Sequence, residues 1–128
     1  MKLLLDTHTL LWWHDHPEKL SPDLQAAIKN RGNEVFISVV SAWEMQIKAQ
    51  LNRLTLRHGL ANIFERELTE NRFALLTVVL AHVYALRSLP LYHSDPFDRL
   101  SIAQARTESL TLVSADGELA HYDVSLFW

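Results

Sequence analysis

Five short apolar runs punctuate the chain, and between them apolar residues recur at the three- and four-residue spacing of a helix. Leu3-Leu4-Leu5 is the first run and stops at Asp6, as a buried strand does. Residues 7–16 read as a helix closed before Pro17, because proline pushes the residue ahead of it out of helical backbone. Ser21 and Pro22 supply a cap and a first-turn proline, and Leu24, Ala27 and Ile28 form one stripe ahead of a polar turn at 30–33. Residues 35–40 are β-branched and nearly continuous, the strongest strand signal in the chain. A helix is expected from about Ala42, with Trp43, Ile47 and Leu51 on one face and Trp43 read as core. Leu60, Ile63, Phe64 and Leu68 mark another helical stripe between Gly59 and Asn71. A third strand is expected at 73–79, after which Leu80, Val83, Tyr84 and Arg87 recur at helical spacing up to Pro90. In Asp95-Pro96-Phe97-Asp98 the first acid caps a helix, the proline takes its first position, and Asp98 falls third, near the positive helix end. Residues 110–113 form a fourth strand that ends at Ser114-Ala115-Asp116-Gly117. A short helix around 117–121 leads to a fifth strand at 124–127.

Short apolar strands alternating with amphipathic helices predict an α/β fold, a mostly parallel sheet covered on both faces. Its crossovers are expected to be right-handed, while strand order is left open. Residues 1–128 contain no linker, repeat or low-complexity segment and are expected to form a single domain. That length buries roughly two-thirds of the unfolded surface, enough for a core without covalent staples.

Composition narrows the chemistry. The chain has no cysteine, which excludes disulfide frameworks, thiolate zinc sites and cysteine nucleophiles. With 48% hydrophobic and 21% charged residues it is neither disordered nor fibrous. Fifteen acidic against twelve basic residues give a net charge of -3, so bulk charge does not mark a nucleic-acid binder, whose phosphate affinity comes from Lys and Arg. A local basic patch or a metal cation would have to supply the positive charge. Asp6 interrupts the first apolar run too early for a secretory signal, and no stretch approaches the roughly 20 apolar residues of a membrane span. A cytoplasmic protein is expected.

Four acids stand at element ends. Asp6 closes the first strand, Glu44 lies just beyond the second, Asp98 begins the helix before the fourth, and Asp116 follows the fourth. In open α/β sheets, sites form outside the carboxyl ends of the strands, so these four can converge at one edge. Converging carboxylates raise one another's pKa; helix N-termini offset part of that cost and a hard divalent cation offsets more. The natural chemistry of such a cluster is phosphodiester hydrolysis, in which a cation activates water and screens charge on the phosphate. A structural reading stands beside this one. Ser41 to Glu44 fits a capping box, Asp95 with Asp98 is a near relative of one, and Asp6 and Asp116 suit a cap and a turn.

The residues also carry a resemblance over nearly the whole chain. Leu4-Leu5-Asp6-Thr7-His8, Phe36-Ile37-Ser38 through Ser41-Ala42-Trp43-Glu44 and Lys48 are similar to motifs of the PIN-domain family. So are His93-Ser94-Asp95-Pro96-Phe97-Asp98-Arg99, Ile102-Ala103-Gln104-Ala105, and Leu112-Val113-Ser114-Ala115-Asp116 with Tyr122. Within that family the likeness is to the VapC-like toxin ribonucleases of bacterial toxin–antitoxin pairs. The resemblance implies a three-layer α/β/α fold with a five-stranded parallel sheet. It further implies a Mg²⁺ or Mn²⁺ site built from Asp6, Glu44, Asp98 and Asp116. It implies an RNA substrate, such as transfer RNA or another structured RNA, an antitoxin that fills the groove, and a homodimer. A PIN-type nuclease in RNA processing and a non-catalytic α/β interaction module are the alternatives. Ser94 and Ser101 stand where Arg and Leu are common in the subgroup, and Asn52 where Gly is expected; Asn also tolerates left-handed backbone.

Supporting roles are open to several neighbours. Asp95 is an N-cap that can also orient water at a metal. Ser114 either supports a ligand carboxylate or caps backbone. Lys48 either meets phosphate or pairs with Glu44 at i,i+4, and Arg99 has the same two options. Thr7 and His8 adjoin Asp6 as further contact candidates, and His8 and His93 are placed near the groove. Trp12 and Trp13 are consecutive on a helix and are expected not to share one core, leaving one for an antitoxin or a second protomer.

Overall fold

A computed structural model describes residues 1–128. The first half of the chain runs β1 (Lys2–Leu5), α1 (Thr7–Asp15), α2 (Pro22–Lys29), β2 (Glu34–Ser38), α3 (Val39–Gln50) and α4 (Leu60–Thr69). The second half runs β3 (Ala74–Leu76), α5 (Leu80–Ala85), α6 (Pro96–Thr107), β4 (Thr111–Val113) and β5 (Leu126–Phe127), with short 3₁₀ turns at Pro17–Lys19, Leu86–Ser88 and Gly117–His121. All neighbouring strands pair in parallel, in the order β3-β2-β1-β4-β5. From β1 the chain builds outward through β2 to β3, then returns to the other side of β1 for β4 and β5. The gap between β1 and β4 is therefore the topological switch point, where α/β sheets open a crevice at their carboxyl ends.

Strand alternation sends side chains to two cores. Leu3, Leu5, Val35, Ile37 and Val113 pack with Leu10, Leu24, Ile28, Met45 and Phe73 on one face. Leu4 and Leu112, paired in register across β1 and β4, pack on the other face with Ile102, Ala103, Ala105 and Leu119. Each fully buried Leu of the central strand contributes roughly 1.5–3 kcal/mol of transfer free energy. This is the three-layer α/β/α arrangement expected from the sequence.

The caps follow their local signals. Ser21 Oγ accepts from Leu24 N–H, and Asp95 Oδ1 accepts from Phe97 and Asp98 N–H. Asn52 adopts φ 57° directly after α3, as its tolerance of left-handed backbone allows.

Four local expectations are corrected. The helix expected from Ala42 starts at Val39, with Ser38 Oγ accepting from Val40 N–H. Ser41 is thus inside the helix and buried, so the Ser41–Glu44 capping box does not form. On this helix Met45 and Glu44 face inward and Trp43 and Leu51 are exposed, Trp43 at 57%. The third strand is shorter than predicted, and α5 buries His82 while Leu80, Val83 and Tyr84 face outward. Finally, Trp12 and Trp13 are both half-buried against the same core. Two sets of neighbours clasp them: the Trp13 indole donates to Glu67 Oε2 at 2.9 Å and its ring packs on Phe73, while Trp12 packs on Trp128 beneath Lys19.

Glu67 is the buried acid the helical pattern concealed. It is 1% exposed and accepts from Trp13 and Asn71, with His14 Nδ1 at 3.3 Å. Burial of a carboxylate at that depth requires such donors. It ties α1 to α4 on the side of the sheet away from the switch point.

Candidate metal centre

A cavity of about 180 Å³ opens at the switch point, lined by Asp6, Thr7, His8, Glu44, Lys48, Asp95, Asp98, Ser114 and Asp116. No apolar side chain lines it. All four acids singled out from the sequence meet here, and of the candidates around them Arg99 and His93 are not part of the lining. A larger cavity of about 400 Å³ lies elsewhere, among residues of α2, β2, the end of α4 and β3, and holds none of this chemistry.

Each acid is held by its element. Asp6 follows β1 and caps α1, Oδ1 accepting from Thr9 N–H at 2.8 Å. Asp116 follows β4 and caps the 3₁₀ turn, Oδ1 accepting from Glu118 N–H at 2.9 Å. Capping and clustering are therefore compatible: the local role fixes one carboxylate oxygen and the sheet edge brings the groups together. Glu44 projects from α3 and is 5% exposed. Its two oxygens accept from Thr7 Oγ1 at 2.6 Å and Lys48 Nζ at 2.7 Å. Ser41 Oγ lies 3.0 Å from Thr7 Oγ1 and is the donor of that pair, since the single Thr7 proton goes to Glu44. Ser114 Oγ accepts from Asp116 N–H, the backbone-capping option. Arg99 is corrected: its guanidinium donates to the carbonyls of Pro90, Leu86 and Leu89, so it fastens the segment before α6 and does not reach the cavity.

One residue joins the cluster more closely than its place in the sequence suggested. His93 Nε2 lies 3.1 Å from Asp116 Oδ2, and ligand atoms of His93, Asp98 and Asp116 all lie within 4.8 Å of one another. The three come from the segment before α6, from α6 itself and from the end of β4. The available sequence signal was its position five residues before Asp98 in the capped segment.

The electrostatics bear the mark of crowding. Asp98 is pushed from 3.8 up to about 6, first by burial and then by the charges of Asp95, Glu44 and Asp116, with His93 opposing. Burial also acts upward on Asp116, but the Glu118 N–H and His93 outweigh it and leave that pKa lowered. A pocket of oxygen donors with one carboxyl reluctant to ionise is short of positive charge. Hard divalent cations suit such oxygen donors, so the residues fit the ion the resemblance implies.

The class of protein follows from this geometry: a parallel α/β/α sheet with an acidic pocket at its switch point. A PIN-domain family profile matches residues 3–125, and the chain belongs to that family. It is 30% identical over 118 residues to ribonuclease VapC22 of Mycobacterium tuberculosis, covering 91% of this chain and 88% of the relative. The fold is shared with the solved structure of VapBC2 from Rickettsia felis bound to a promoter DNA fragment. That match has TM-score 0.75 and 18% identity, over 99% of this chain and 98% of the other. It is likewise shared with VapBC-1 from nontypeable Haemophilus influenzae, at TM-score 0.64 and 13% identity over 99% and 97% of the two chains. Within the PIN family the chain is VapC-like. None of its helices is long and apolar enough to cross a membrane.

Proposed function

We propose that the chain is a single-domain, Mg²⁺-dependent endoribonuclease that acts as a cytoplasmic toxin, with Mn²⁺ as an alternative cation. The observation that carries this reading is the meeting of Asp6, Glu44, Asp98 and Asp116 in one cavity lined entirely by polar residues. Those four acids would hold the cation, which when bound lowers the pKa of an attacking water and screens the phosphodiester. The chain's own residues do the rest. Lys48 and Thr7 fix the Glu44 carboxylate, and Asp95 sets the start of α6 and so the place of Asp98. His8 stands at the cavity wall, positioned to meet a phosphate or base of the RNA.

The test is cleavage of total cellular RNA by purified protein with Mg²⁺, with excess chelator, and with Mg²⁺ restored. Cleavage is expected in the first and third conditions and not in the second. Full cleavage in chelator would overturn the metal mechanism, and no cleavage of any RNA would return the acids to capping alone. Saturating Mg²⁺ is also expected to raise the melting midpoint, since only the folded site binds it.

An antitoxin is the proposed partner, supported by the likeness to the toxin of ribonuclease–antitoxin complexes. The exposed Trp43, packed edge-on against Phe97, and exposed Leu51 just past α3 are its anchors, whereas Trp12 and Trp13, one of which was expected to join Leu51, are half-buried. A homodimer is supported by α5, whose Leu80, Val83 and Tyr84 are 66%, 45% and 69% exposed. Beside them the edge strand β3 leaves Leu75 half-exposed, an apolar surface of the kind that marks an interface. Light scattering is expected to give twice the chain mass for the wild type and the chain mass for Leu80→Glu/Tyr84→Glu. An unchanged mass in the variant would place the dimer contact elsewhere.

A further inference from the structure

We propose that His93 is a nitrogen ligand of the cation in this site and biases it toward Mn²⁺ over Mg²⁺. This rests on the metal-dependent reading above.

Two of the buried histidine side chains, His82 and His93, use their ring nitrogens differently. His82, 1% exposed, is fully used: Nδ1 accepts from Val79 N–H at 3.1 Å, so the proton is on Nε2, which donates to Glu108 at 2.9 Å. Its role is packing and hydrogen bonding. The His93 side chain is 13% exposed, and its Nδ1 is buried with no partner at all. Buried polar atoms are nearly always satisfied, and a histidine that serves structure uses both nitrogens. Without a cation Nε2–H donates to Asp116 Oδ2; for Nε2 to bind a cation the proton must move to Nδ1, which no protein group occupies.

The ring is nonetheless held in place. His93 N–H donates to the Tyr122 hydroxyl at 2.8 Å, and the two rings pack with centroids 5.6 Å apart. Tyr122 is itself buried. An imidazole anchored from behind by a distant tyrosine, with Nε2 3.1 Å from one carboxylate and in one cluster with a second, has the geometry of a donor set. A lone pair directed at carboxylate oxygens is repulsive until a cation lies among them. Two carboxylates and an imidazole then become mutually favourable.

The nitrogen decides which cation gains. Mg²⁺ binds oxygen and gives up its waters reluctantly, whereas Mn²⁺, at the weak end of the first-row transition series, still accepts an imidazole more readily than Mg²⁺ does. A His ligand added to an acidic site therefore strengthens Mn²⁺ binding more than Mg²⁺ binding. The four acids alone would discriminate less.

Pulsed electron paramagnetic resonance of the Mn²⁺-loaded wild-type protein tests this without reference to cleavage. A ¹⁴N coupling from a directly bound imidazole is expected, retained in His8→Gln and lost in His93→Gln, which keeps an amide able to donate to Asp116. Mn²⁺ affinity, read from the free-ion signal, is expected to fall by about tenfold in His93→Gln. Mg²⁺ affinity, read by competition, should change by much less. Bound Mn²⁺ with no ¹⁴N coupling in the wild type overturns the proposal and leaves the metal-dependent reading intact; so does an equal loss of both ions in His93→Gln. Failure of the wild type to bind either ion overturns both.

Discussion

Replacing Asp98 with Asn is expected to make the metal-free protein more stable while nearly abolishing cleavage. The sign follows from where the carboxyl sits. Its pKa is raised from 3.8 to about 6 by burial and by Asp95, Glu44 and Asp116. Between those values the folded protein keeps a proton that the unfolded chain has released, so stability falls as pH rises through that window. Above about pH 6 the penalty is complete. Asn carries no charge and escapes it. Discounted for solvent that still reaches the group and for the lost charge at the third position of α6, the gain at pH 7–8 is about 1 kcal/mol. It should shrink as pH falls through 6 toward 4 and vanish well below 3.8, where Asp98 is protonated in both states. Cleavage should fall by about 100-fold or more, the scale of losing one charge-stabilising group at a reacting centre. Denaturant midpoints at pH 4, 6 and 8, with initial cleavage rates at saturating Mg²⁺, check both halves. A variant less stable at pH 8 with near-normal cleavage would make Asp98 a helix-end residue and nothing more.

Gln104→Leu is expected to produce the largest stability loss among single substitutions of polar residues. Gln104 is fully buried in α6. Its Oε1 accepts from Ser38 Oγ at 2.6 Å, and its Nε2 donates to Thr77 O at 3.3 Å and lies 3.5 Å from His82 Nδ1. Ser38 ends β2 and caps α3, so one amide links the strand, the helix that carries Glu44 and the helix that carries Asp98. Leucine of similar volume leaves the buried Ser38 hydroxyl proton without an acceptor and removes the donor to Thr77 O, a cost of about 1–3 kcal/mol. Cleavage should fall as well, because the cap of α3 loses its anchor. A denaturant midpoint within error of the wild type would show that water or a shifted partner replaces the amide.

The relation between these two residues shows what the linear pattern contained. Asp98 was legible because three signals coincide on a few neighbouring residues: a capping acid, a proline and a strand to follow. Gln104 carries no such signal, since nothing within a few residues of it requires an amide. The same division separates Asp6 and Asp116, each at the end of an apolar run, from His93, whose partners Asp116 and Tyr122 lie more than twenty residues away. Arg99 shows the converse. Its place beside Asp98 suggested phosphate, but its reach along α6 brings it to backbone carbonyls of the preceding turn.

By itself the sequence determined the alternation of strands and helices, the caps at Ser21 and Asp95, and the acids Asp6, Asp98 and Asp116 at element ends. Those features depend on interactions between residues at most about four apart, which any window of the chain displays. Tertiary structure decided the strand order β3-β2-β1-β4-β5, and with it the pairing of β1 and β4 that brings Asp6 to Asp116. It also decided which apolar stripes are buried. Trp43 and Leu51 on α3 and Leu80, Val83 and Tyr84 on α5 have the spacing of a core face yet point outward, because apolar periodicity states that a helix has a greasy side and not which neighbour covers it. For α3 the inward side is that of Met45, Ser41 and Glu44. The reason in each case is the same: burial and proximity are set by contacts across the sheet, between segments whose separation along the chain leaves no local trace.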